Sequence, residues 1–577
     1  MPTPAPSPAL PPVYRQLDRW GWDVLSLALL LAVGLALLPA FGGGVREPPD
    51  RAILNAEPLP CWATTDDLLL VGPDAGAWAS AAIQVRRGAW DRLEIHRMPT
   101  FPLLVGGLLH LQPDVALAGH LLNHLLMLGL PLVIYGLGRA GGGRALGLAA
   151  GMLVIGLGPP IGASRMYGVD PTITFMVPTA LLATVAARRW WWLAPAAGLI
   201  TAVACVSHFT TFPMFLPPLL FLVLGGPRPG WRRSVACLAF LGAGAALVWG
   251  LSRIFPFPGP LVLGQAISEG IDPGSAEVPA RELSEGARVI LQAGAGGALI
   301  RAARDSLSLV SPAWLPWGLA GALALLGVLG PGLGPPRPEA GRLRRARALP
   351  PLDLPLGLAL LATLAPLPVL AAAGAPERYG CNLLPAVALL VVRGIFALPR
   401  WIGHGVRPPR GRWLIGAFGL PMALAVVLGA WSNGQDARAQ HLPGAEALPA
   451  RQLGELIQAH FPPGGGAVCS LREAAAHAGR GSCPATPCPF EASESSFRTC
   501  LAIIAAECGG VGPVPYVVVE QVAGSPHQAL AGGGGGPRRP EQVAFDAWLL
   551  GRYAPVATLE TRQFRASVLA LPRGRGE

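Results

Sequence analysis

Blocks of about twenty uncharged, mostly apolar residues recur along this chain from roughly residue 23 to residue 431, and then stop. An α-helix needs about 20 such residues to cross the hydrocarbon core of a bilayer. The blocks therefore commit the first three-quarters of the sequence to a bundle of membrane-crossing helices. Charge agrees with that reading: only 13% of the 577 residues are charged, about half the share of an ordinary soluble protein.

About eleven spans are expected, near 23–41, 113–137, 145–163, 169–187, 191–207, 209–224, 234–252, 307–330, 353–373, 380–398 and 413–431. The apolar core of the first is longer than that of a cleaved signal peptide, so it is read as a retained helix. Arginines alternate between the connections. One set holds Arg139 and Arg144; Arg188 and Arg189; Arg228, Arg232 and Arg233; Arg337 to Arg347; and Arg400 to Arg412. The opposite short connections hold little beyond Arg165 and Arg378. Basic residues in short loops stay in the cytoplasm. A cytoplasmic N-terminus follows, with loops 42–101 and 253–305 and everything after residue 432 on the outer, periplasmic face of a bacterial inner membrane.

The net charge of +11 would suit a nucleic-acid binder, but all 44 cationic residues are Arg and they sit in these loops beside 75 Gly and 62 Pro. That pattern reflects a GC-rich genome and membrane orientation, and no nucleic-acid partner is assigned. Residues 433–577 read as a small soluble α/β domain following a transmembrane domain of residues 1–432. ARQLGELIQAHF and PEQVAFDAWLL have helical spacing, whereas PYVVVEQV and FRASVLALP look like strands. Cys469, Cys483, Cys488, Cys500 and Cys508 lie in this tail, and Cys61 lies in the first outer loop. An oxidising compartment favours disulfides among them. Zinc is the rival, but the C-x4-C of Cys483 and Cys488 has no His following at finger spacing.

Ionisable residues at a membrane boundary are costly and mark candidate sites. Three outer clusters qualify. In the first, residues 72–102, Asp74 precedes Trp78 by one helical turn, which suits a short surface helix with the carboxylate at its positive end; a plain N-cap is the competing reading. In the second, SRMYGVDPT, Arg165 precedes Asp170, and Asp170-Pro171 is also ordinary helix-start chemistry. In the third, APERYGCNLLP, Arg378 and Tyr379 occupy a very short connection. His120 and His124, four residues apart in an apolar helix, read as a packed polar pair.

Taken in order, these clusters resemble the GT-C superfamily of polytopic glycosyltransferases, nearest the protein O-mannosyltransferase and lipid A aminoarabinose transferase branches. The resemblance rests on the outer-loop Asp74 with an aromatic four residues on, on Arg97-x-Pro99-x-x-Pro102, on Asp170-Pro171 and on Arg378-Tyr379. The chain departs from the pattern at Ala75, where an acidic residue often follows, and at Pro385, later than expected after Arg-Tyr. The resemblance implies an inverting transfer of sugar from a polyprenyl-phosphate donor to an envelope lipid, glycan or protein. Asp74 would be the base, and Asp170 would orient the acceptor or share the base role. Arg97, Arg165 and Arg378 would hold phosphate, and Trp78, His96 and Tyr379 would complete the substrate site. No cofactor or metal-ligand cluster is assigned, a divalent ion being left open. The alternative is a transporter or flippase of lipid-linked sugars, although no repeat of the hydropathy pattern supports one.

Overall fold

The computed structural model describes residues 12–37, 72–88, 99–157, 167–208, 211, 214–225, 230–254, 322–327, 384–402, 424, 428, 450–462, 468, 474–475, 478–480, 493–507, 513–521, 540–560 and 564–572. Helix α1 (Pro12–Leu37) is followed by α2 (Gly72–Arg86), α3 (Thr100–Leu108), α4 (Val115–Gly142) and α5 (Arg144–Gly156). Then come α6 (Asp170–Arg189), α7 (Ala194–Cys205), α8 (Leu216–Gly225), α9 (Gly230–Ile254) and α10 (Leu384–Ile402). Among the described residues α4, α6 and α9 are long and apolar enough to cross a membrane, and Gly21–Ala36, Arg144–Gly156, Trp191–Cys205 and Val387–Ala397 are shorter apolar helices. The expected span at 353–373 lies outside the described residues, as do most of those at 307–330 and 413–431.

Helices α4 and α5 form a tight hairpin. Gly143 makes the turn with φ of 100°, a conformation in which a Cβ would be strained. Glycine also sets how closely the pair approaches. A Cβ at Gly138 would lie 2.6 Å from the Gly147 Cα, and one at Gly147 would lie 2.5 Å from the Tyr135 carbonyl. Small residues at such crossings are how helices pack in lipid, where no hydrophobic drive pushes them together.

Asp23 pins α1 to this hairpin. Its carboxylate accepts hydrogen bonds from Arg139 (Nε at 2.6 Å, Nη2 at 2.5 Å), Arg144 Nε at 3.0 Å and the Tyr135 hydroxyl at 2.6 Å. The start of α1 and the α4–α5 turn therefore occupy the same end of the bundle. The alternation of arginines assigned both to one side of the membrane.

Helix α9 shows what a lipid-facing helix looks like. Trp231 and Trp249 are exposed near its two ends, eighteen residues or about 27 Å apart. Between them Leu238 is 68% exposed. Arg232 lies over the Trp231 ring and Arg253 over the Trp249 ring. Aromatic and basic residues bracketing an exposed apolar band of this height mark the two interfaces of a bilayer.

Beyond residue 449 the described elements are α11 (Ala450–His460), α12 (Glu494–Glu507), β1 (Val514–Gln521), α13 (Pro540–Arg552), β2 (Pro555–Glu560) and β3 (Phe564–Leu571). The strands form an antiparallel sheet in the order β1-β3-β2. Side chains alternate between its faces. Val514, Tyr516, Val518, Leu569 and Leu571 pack with Phe497, Phe545 and Leu549 of α12 and α13. Val517, Ala566 and Val568 pack with Leu453 and Ile457 of α11. The buried Tyr516 hydroxyl donates to Asp546 at 3.0 Å. Cys500 is disulfide-bonded, while Cys205 and Cys237 form no disulfide. The other six cysteines lie outside the described residues.

Candidate active site

Helix α2 begins at Gly72, so Asp74 falls in its first turn, where the helix dipole favours a negative charge. Trp78 follows one turn later. From Trp78 to Ile83 every side chain is buried. The helix is therefore packed into the bundle around its circumference, where the spacing alone suggested a helix along a surface. Gly106 on α3 permits the close approach: a Cβ there would lie 2.6 Å from a methyl of Val85.

A chain of aromatic rings runs from α2 to the start of α6. Trp78 meets Phe101 edge-on with centroids 5.8 Å apart, Phe101 meets Tyr167 at 5.5 Å, and Tyr167 meets His120 at 5.7 Å. Edge-to-face pairs of this kind add about 0.5–1.5 kcal/mol each beyond the area they bury. The Tyr167 ring occupies the space that a side chain at position 119 would need, and Gly119 leaves it open. Thr100 at the start of α3 donates to the Val206 carbonyl at 3.0 Å, fixing that end of α3 against α7.

Asp170 stands three residues beyond Tyr167, as the first residue of α6. The N-cap is Val169, and no side-chain cap bond forms there. Asp170 is 6% exposed. Asp114 provides the contrast: it is exposed, and its carboxylate caps α4 by accepting from Ala116 N at 2.9 Å and Leu117 N at 3.1 Å. The Asp-Pro step at position 170 thus differs from the Asp114 cap in being buried inside the bundle.

Other polar groups line the same region. Asn123 Nδ2 lies 3.5 Å from the Gly168 carbonyl, and His124 Nδ1 lies 2.7 Å from the His120 carbonyl. The Tyr167 hydroxyl and Thr172 Oγ1 are buried with no hydrogen-bond partner among the described residues. Burial pushes the Tyr167 phenol well above the usual tyrosine value, with the Asp114 charge adding to it, so it stays a neutral donor. No group of three or more metal-binding side chains occurs among the described residues. Helix α2 also reaches the tail, where Arg87 Nη2 donates to the Gly479 carbonyl at 2.5 Å.

The fold thus links Trp78, on the helix that carries Asp74, through Phe101 to Tyr167, three residues before the buried Asp170. The side chain of Asp74 lies outside the described residues, as do His96, Arg97, Arg165, Arg378 and Tyr379. Sequence reasoning passed over Tyr167 and Asn123, whose roles depend on contacts between distant elements. It also passed over Arg393, which is 1% exposed in the middle of α10. A signal for Arg393 was available, since a lone charge interrupts the apolar run VALLVVRGIFAL.

The architecture is shared with solved oligosaccharyltransferase structures. The Archaeoglobus fulgidus oligosaccharyltransferase tethered with an acceptor peptide matches with a TM-score of 0.52 at 14% identity, over 87% of this chain and 69% of that one. The same organism's oligosaccharyltransferase AglB, in complex with an inhibitory peptide and a dolichol-phosphate, matches at 0.50 and 13% over 86% and 69%. ArnT from Cupriavidus metallidurans in the apo state is 14% identical over 96% of this chain and 98% of its own, with a TM-score of 0.43. No protein-family model and no curated protein matches the sequence.

Proposed function

We propose that this protein is an inverting glycosyltransferase that moves a sugar from a polyprenyl-phosphate donor to an acceptor in the cell envelope, on the periplasmic face of the inner membrane. The observation that carries the reading is the burial of the Asp170 carboxylate at the start of α6, three residues after Tyr167 in the chain of rings that begins at Trp78 on the helix bearing Asp74, within a fold shared with an enzyme solved with dolichol-phosphate. Buried carboxylates inside a membrane bundle are retained for function.

In this reading Asp74 takes the proton from an acceptor hydroxyl or amine as that group attacks the anomeric carbon. The bond from that carbon to the phosphate oxygen breaks, its electron pair leaves on the polyprenyl phosphate, and the anomeric configuration inverts. Asp170 orients the acceptor. Arg97, Arg165 and Arg378 meet the charge that develops on the phosphate, since guanidinium forks match phosphate oxygens. Trp78, His96 and Tyr379 shape the sugar site. The eleven-span count and the division into residues 1–432 and a periplasmic α/β domain of residues 433–577 belong to the same proposal.

Purified protein in nanodiscs, given a labelled polyprenyl-phosphate sugar and envelope extract, is expected to form a new glycosidic bond. Movement of the donor across the bilayer without bond formation would instead establish the flippase alternative. The orientation has its own test. A periplasm-dependent reporter fused after Trp431 is expected to be active, and one fused at Arg345 silent. A silent fusion after Trp431 would remove the candidate site from the periplasmic face.

A further inference from the structure

The middle of α10 holds a charge that the transfer scheme above does not use. Arg393 lies nine residues from each end of the helix, about 14 Å along its axis, and is the largest side chain in the protein that is fully buried among the described residues. Its Nε and Nη1 are buried with no hydrogen-bond partner among the described residues. An unpaired cation is strongly disfavoured in such surroundings, and inside a membrane bundle it marks a functional position by default.

The backbone around Arg393 is held firmly. Gly394 and Gly327 let α10 and residues 322–327 touch: a Cβ on Gly394 would strike the Leu323 carbonyl, and one on Gly327 the Leu390 carbonyl. Val387 to Val392 and Ile395 to Ala397 are buried around it, and all are apolar. A long side chain on a helix leans toward the helix N-terminus, which for α10 is the end that follows Arg378 and Tyr379 and is periplasmic in the proposed orientation. That lean would carry the guanidinium toward the face proposed for the candidate site, from inside the apolar core.

We propose that Arg393 binds the phosphate of a polyprenyl phosphate drawn into the bundle. This rests on the lipid-linked-donor reading above. An anion that reaches the middle of an apolar helix bundle must bring hydrocarbon with it, which favours a lipid-borne phosphate over a free one. A bidentate guanidinium–phosphate pair satisfies both Nε and a terminal nitrogen, the two atoms of Arg393 that have no partner among the described residues.

The competing arrangement is an internal ion pair with a carboxylate of this chain, and the two respond oppositely to Arg393→Met. Removing one partner of an internal pair strands a buried charge and destabilises the protein, whereas removing an unpaired charge is neutral or stabilising. Full-length wild type, Arg393→Met and Arg393→Lys would be compared in nanodiscs by thermal unfolding. Each would be measured without ligand and with C55 polyprenyl phosphate, phosphatidylglycerol or inorganic phosphate. Ligand-free Arg393→Met is expected to unfold at or above the wild-type temperature, to lose the polyprenyl-phosphate shift and to bind that lipid at least tenfold more weakly. Arg393→Lys is expected to retain part of the shift.

A lower unfolding temperature for ligand-free Arg393→Met, or unchanged polyprenyl-phosphate binding by it, overturns the proposal. An equal shift from phosphatidylglycerol or inorganic phosphate overturns the assignment to a polyprenyl chain. Wild-type protein that binds no polyprenyl phosphate overturns the donor reading itself, and this proposal with it.

Discussion

Asp74→Asn is expected to lower sugar transfer by about 100- to 10,000-fold, the range that general-base assistance contributes. The change keeps the size and shape of the side chain and removes its ability to take a proton. Expression and polyprenyl-phosphate binding should persist, because Trp78, Ile83 and Val85 hold α2 in the bundle through contacts that the substitution leaves alone. Asp170→Asn is expected to have a smaller effect, since the proposed scheme gives that residue the orienting of the acceptor and not the proton transfer. The measurement is turnover of the purified variants under saturating donor. Near-normal turnover in Asp74→Asn would pass the role of base to Asp170, or to Asp66 or Asp67.

The second large effect concerns stability. Gly147→Ala is expected to lower the unfolding temperature, because its new methyl would lie 2.5 Å from the Tyr135 carbonyl and 3.0 Å from the Arg139 nitrogen. These atoms are backbone and cannot move aside cheaply, so α4 and α5 must separate. Overpacking of this kind typically costs about 1–3 kcal/mol. The damage should also extend to the Asp23 clasp, which draws on Tyr135, Arg139 and Arg144 from the same hairpin. Gly242→Ala on α9 is the matched control. Nothing lies within 4 Å of a Cβ at that position, and alanine gains up to about 1 kcal/mol over glycine in a helix. The first variant should melt below wild type and the second at or above it. Equal melting of the two would show that the α4–α5 crossing tolerates separation.

Some of this protein could be read directly from its residues. The positions of α1, α4, α6, α9 and α10 follow from the apolar blocks, because an uninterrupted apolar run of that length has few other stable states in the presence of a bilayer. The strands at Val514–Gln521 and Phe564–Leu571 follow from β-branched runs, and the helices at Ala450–His460 and Pro540–Arg552 from their spacing. A short helix beginning just before Asp74 was legible from the i, i+4 relation to Trp78. These are local properties, carried by neighbours in the chain.

Burial within the membrane region was not legible, and the reason is the solvent. In water, an apolar side chain facing outward is penalised, so the apolar stripe of a helix reveals its inner face. In lipid both faces are apolar. Leu137 is 1% exposed and Leu238 is 68% exposed, yet nothing in their sequence surroundings separates them. Tertiary packing alone buried the Asp170 carboxylate and set the Tyr167 ring over Gly119. Packing also closed Arg139 and Arg144 onto Asp23, more than a hundred residues away. The sequence by itself determined which segments enter the membrane, because transfer into hydrocarbon depends on each segment's own composition. Which side chains meet inside was decided by the tertiary structure, because helix contacts in lipid depend on close-packed shape and on polar partners from distant segments.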